Sequence, residues 1–184
     1  GALCADHCTI YNNQVASDRV LSQGGGLNID REGVANLTGT NVTGNLVTSS
    51  GTGSARGGGV FNNGRLLAVR CTIEYNKAAS VGGIVQGGGL ENSGQARLIE
   101  TAVEHNMATS ASGNLVAGAG IFNNVDATLM LERSIIKHNL GKSLERQVLG
   151  GGLNTRGDAT LTDSIIAHNS AIGSLFTAGG GISS

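Results

Sequence analysis

The chain has 184 residues, with 12 basic against 13 acidic side chains, 31 glycines and no proline. Near-neutral charge without a basic stripe, with two tyrosines, three phenylalanines and no tryptophan, argues against a nucleic-acid binder. No apolar run approaches the roughly 20 residues that cross a bilayer, and 39% hydrophobic content in a regular pattern argues for a packed chain rather than a disordered one.

From the N-terminus, a short run of β-formers around Ile10 ends at Asn13, and a glycine opening follows at Gly24 with Leu27 behind it. The succession then returns as Val42, Asn45, Gly57 and Val60, and again as Ile73, Asn76, Gly87 and Leu90. It continues through Val103, Asn106, Gly118 and Ile121, then Ile136, Asn139, Gly150 and Leu153, and last Ile166, Asn169, Gly179 and Ile182. The openings lie 33, 30, 31, 32 and 29 residues apart, a period of about 31 that covers residues 1–184. Five places before each Asn stand Cys8, Thr40, Cys71, Thr101, Ser134 and Ser164, all small.

These are short strands of β-branched residues bounded by Gly, Asn or Asp, and none has the length or period of an amphipathic helix. Strands this short cannot bury a face alone, but stacked coil on coil about 4.8 Å apart they can. The pattern therefore predicts one all-β domain, a right-handed single-stranded parallel β-helix of about six coils, with three short strands and three turns per coil. Missing proline fits strands whose N–H groups are all needed. The glycines are expected to turn corners through φ > 0. Asn13, Asn45, Asn76, Asn106, Asn139 and Asn169 are expected to form an internal amide ladder. Ile10, Val42, Ile73, Val103, Ile136 and Ile166 are expected to form a core column.

The openings "GGGL", "GGGV" and "GAGI", alternating with "IEYN", "VEHN", "IKHN" and "IAHN", resemble the repeats of bacterial right-handed β-helix surface proteins. Polymorphic outer membrane proteins and autotransporter passengers alternate GGA(I/L/V) and FxxN motifs in this way, with Phe where this chain has Ile or Val. The resemblance implies secretion to the bacterial outer membrane or beyond, and an adhesive or scaffolding role; the short, nearly constant loops favour a non-enzymatic one. Host or matrix glycans or proteins are the partners that it implies.

The chain begins mid-coil and stops just after an opening, and neither end carries an obvious cap. Such ends present strand edges, so a fragment of a longer array is expected, with neighbouring coils or head-to-tail copies as partners. A self-assembling extracellular fibre is one alternative function.

Candidate sites are sparse. His105, His138 and His168 precede the ladder Asn in three successive coils, where stacked imidazoles could hold a transition metal. The same column holds Asn12, Gly44 and Tyr75, types that tolerate a left-handed corner, which is the plainer reading. Asp126 and Asp158 each sit eight places after their opening glycine, with Arg156 nearby. Carboxylates one coil apart, near 5 Å, would suit a lyase, hydrolase or epimerase acting on acidic glycans, although loops of nearly constant length build no cleft. The plainer reading is a turn Asp beginning a strand. His7, Gly39, Arg70, Glu100, Arg133 and Asp163 share a column whose last four members alternate in sign, as an exposed charge ladder would. Cys4, Cys8 and Cys71 make an odd number. Cys8 and Cys71 lie two coils apart, too far for a disulfide, and are expected to be small core residues. No phosphate-loop motif is present, and no cofactor is expected.

Overall fold

The computed structural model describes residues 1–112 and 115–184. The chain winds through six coils, each contributing one strand to each of five parallel sheets. In the third coil these strands are Arg65–Val69, Thr72–Glu74, Lys77–Ser80, Val85–Gln86 and Leu90–Asn92, which define sheets 1 to 5. Among the described residues no helix is long and apolar enough to cross a membrane.

Five strands replace the expected three because two further corners interrupt the chain. Between sheets 1 and 2 stand His7, Gly39, Arg70, Glu100, Arg133 and Asp163, all in the left-handed region at φ 46–53°. Between sheets 2 and 3 stand Asn12, Gly44, Tyr75, His105, His138 and His168, again all left-handed at φ 53–66°. The histidine column is thus a corner column, as its residue types suggested.

The core column lies as expected. Ile73 pairs in register with Val42 and Val103, and Ile136 with Ile166. Val42, Ile73, Val103 and Ile136 are at most 1% exposed. The amide ladder is continuous: Asn76 Oδ1 accepts from Asn45 N at 2.9 Å and from Asn45 Nδ2 at 3.0 Å. Asn76 Nδ2 in turn donates to Val42 O and to Asn106 Oδ1. The small column is also a ladder, in which Cys71 N donates to Thr101 Oγ1 and Thr101 N to Ser134 Oγ.

The glycines carry a second requirement. Only the first of each opening has positive φ, at Gly24, Gly57, Gly87, Gly118, Gly150 and Gly179. The third faces the Asn ladder from the opposite side of the coil: a Cβ on Gly59 would lie 2.8 Å from Asn76 Nδ2, and one on Gly152 2.7 Å from Asn169 Nδ2. Here the coil is pinched to a waist. On one side sheets 1, 2 and 5 enclose a Leu/Ile-rich core that includes Leu66, Leu98 and Leu131. On the other, sheets 3 and 4 enclose a narrower core of Val and Ala, including Val47, Ala78, Val85 and Val148.

All three cysteines are free. Cys71 is buried as expected, and burial pushes its thiol up. Cys8, expected in the core, is exposed because it occupies the same column in the first coil.

Candidate functional site

The corner chemistry decides where the proposed site residues stand. Tyr75, His105, His138 and His168 form one exposed stack, with ring centroids 5.0, 5.0 and 5.2 Å apart and planes within 14° of parallel. Ring nitrogens bind metals in the ring plane, so parallel rings one coil apart do not converge on a common ion. Among the described residues, no group of three or more His, Cys, Asp or Glu side chains is placed to hold a metal. Next to its two imidazole neighbours, His138 has its pKa lowered, by desolvation first and then by the charges of His105 and His168.

The carboxylate pair is not in register, which corrects the expectation from the sequence. Asp158 stands opposite Thr128, and Asn123 opposite Thr155. Between these pairs the fifth coil spends four residues on its turn and the sixth only two, so counting from the glycine misaligns them. Asp126 sits in the longer turn at φ 62°. Arg156 reaches neither acid in an ion pair. Its guanidinium lies 5.8 Å from the centre of the Phe122 ring. The predicted charge ladder is realised at Glu100–Arg133, where Arg133 Nη2 and Glu100 Oε1 are 3.0 Å apart. Two further cross-coil pairs, Arg97–Glu132 and Lys137–Glu104, were not anticipated.

The most perturbed carboxyl is one that the sequence left unremarked. The alternation Leu90–Glu91–Asn92 turns Glu91 away from the core, yet it is 0% exposed. It lies in a column between Phe61 and Phe122, where the outer faces of sheets 4 and 5 fold toward each other at the glycine corner. Burial pushes its carboxyl up to about 7, against the opposing effects of a hydrogen bond from Ser93 and the charge of Arg56. Its Oε1 accepts from Ser93 Oγ at 2.8 Å. Its Oε2, with Gln86 Oε1, Arg56 Nε and Asn154 Oδ1 in the same seam, finds no hydrogen-bond partner among the described residues. The seam is filled by its own side chains, so Glu91 reads as a packed acid and not as a group poised to meet a substrate.

Two grooves open on the outer faces. One, of about 600 Å³, runs over sheet 3 past Ala16, Thr48, Ala79 and Thr109, with Val81 and Leu144 at its edge. Its lining is mainly small Ala, Ser and Thr side chains, with Asp18 and Lys142 the charged residues among them. The second, of about 490 Å³, lies on sheet 1 and is lined by Arg65 and Arg97. Compared with protein families, curated proteins and solved structures, the chain has no match.

Proposed function

We propose that this chain is a non-enzymatic structural and adhesive segment of a secreted or cell-surface bacterial protein. A single observation carries the reading: five sheets keep one register through six coils, and the turns between them stay short. A catalytic β-solenoid needs acids and bases converging beneath a wall of longer loops. Here the acids are spread over several columns and turns; Glu74 and Glu104 stand one over the other in sheet 2, but Glu104 is tied to Lys137 of the next coil. What the arrangement offers is a stiff rod with long regular faces, suited to spacing and to multivalent contact.

The test pairs two measurements on the intact chain. Beads coated with it should adhere to extracellular matrix or cell-surface material, and incubation with a panel of uronate polymers should release no unsaturated or reducing sugar. Sugar release that Asp158→Asn or Asp126→Asn abolishes would replace this reading with that of a glycan-active enzyme.

A further inference from the structure

Sheet 1 is the longest-stranded of the five, and its outer face presents three columns of side chains. One runs Val34, Arg65, Gln95, Thr128, and the next Asn36, Leu67, Arg97, Met130. The groove between them is lined by Arg65, Arg97, Asn36 and Gln95, over an apolar floor that includes Leu67 and Met130. Its lining residues include no carboxylate, while Glu132 pairs with Arg97 from the neighbouring column and Asp158 follows Thr128 in the first; Asp30 and Glu32 line a separate depression.

The two arginines differ in state. Arg97 donates from Nε at 3.0 Å and from Nη2 at 2.6 Å to one oxygen of Glu132, which fixes its guanidinium and leaves Nη1 uncommitted. Arg65 is exposed and has no ion-pair partner among the described residues. One strand apart and two residues along, their Cα atoms lie about 8 Å from each other by sheet geometry. An anion between them can meet both, since a guanidinium fork can pair with two oxygens of a carboxylate or of a tetrahedral sulfate. Asn36 and Gln95 add amide donors at either side. The Leu67–Met130 floor suits the apolar face of a sugar ring, and the volume falls in the range of small-ligand sites.

We infer that this groove binds an acidic oligosaccharide, with Arg65 and Arg97 holding a carboxylate or sulfate and the floor carrying the ring. The inference rests on the adhesive reading above and names its ligand class. With a chain charge of −1, general attraction to polyanions is not expected, so binding should be local to this face.

Titration calorimetry of the whole chain would use a galacturonate tetramer, a heparin-derived tetramer and uncharged cellotetraose. At least one acidic tetramer should bind, and cellotetraose should bind at least about tenfold more weakly. The stronger of the two acidic probes identifies carboxylate or sulfate as the preferred group. Arg65→Gln should weaken binding about tenfold and Leu67→Glu should abolish it. Arg70→Gln, an arginine outside the groove, should leave it unchanged, and circular dichroism should show every variant folded. The inference is overturned by no acidic binding up to about 1 mM, by equal binding of cellotetraose, or by equal effects of Arg65→Gln and Arg70→Gln. Adhesive beads and absent turnover alongside any of those results would leave the structural reading intact.

Discussion

A methyl group on Gly89 would lie 2.8 Å from Nδ2 of Asn106. The tripled glycine and the repeated asparagine are two sides of one contact, made across the waist of the coil. The motif therefore specifies more than a turn.

Gly89→Ala should destabilise the chain by about 1–3 kcal/mol, the range for overpacking a filled site. Asn106→Ala should cost more, roughly 2–5 kcal/mol, because it strands polar groups in the interior. Asn76 N and Nδ2 both lose their acceptor, and Asn139 Oδ1 and Ile73 O both lose a donor. Denaturant melts of both variants measure the difference. Equal stability with the parent chain would refute the waist.

Glu91 gives stability a slope with pH. Its carboxyl, raised from 4.5 to about 7, keeps its proton in the folded chain where the unfolded chain has lost it. Folding then binds protons, so stability falls as pH rises from about 4.5 through 7. The full effect is on the order of 3 kcal/mol. Glu91→Gln should flatten this slope and raise the melting temperature at pH 8. A variant whose melting curve keeps the parent's pH dependence would remove Glu91 from the account.

The histidine stack works in the opposite sense. His138, with its folded pKa lowered, binds fewer protons than in the unfolded chain, so stability falls as pH drops below about 6.5. His138→Asn, which keeps a residue tolerant of the left-handed corner, should reduce that loss. Proton NMR should find the His138 ring titrating at lower pH than a free imidazole.

Arg133→Glu places a second carboxylate beside Glu100. The pair is exposed, so the loss should be small, about 0–1 kcal/mol. It should shrink toward zero near 1 M salt. Chemical denaturation at low and high salt checks both the sign and its screening.

The columns were legible because a solenoid writes its packing directly into the sequence. Residues one period apart become neighbours, so Ile73 over Val103 and Asn76 over Asn106 follow from spacing alone. Other columns were equally regular but passed unread. Four places after the first five ladder Asn stand Ser17, Ser49, Ser80, Ser110 and Ser143, which stack in sheet 3. Asn62, Asn92 and Asn123 form a second amide ladder, in which Asn62 and Asn92 each donate from Nδ2 at 2.7 Å to the next Oδ1. It is harder to see because Ile29 and Thr155 occupy its ends.

Spacing failed where coil length varied. Asp126 and Asp158 share a count from their glycines but not a neighbour, since the turns at 124–127 and 156–157 differ by two residues. Burial of Glu91 was not readable from alternation, which places it on the outer face. It depends on the corner between sheets 4 and 5, which the chain turns through the left-handed Gly87 four residues before Glu91. The five-strand coil was hidden for a related reason. Arg70, Glu100 and Arg133 are not types that announce a left-handed corner, yet all three adopt one.

The waist also has a mechanical consequence. Two lobes joined side by side give the rod an oblong section, like a plank. Such a section yields more easily across its thin dimension than along its broad one, so the rod should flex in one preferred plane.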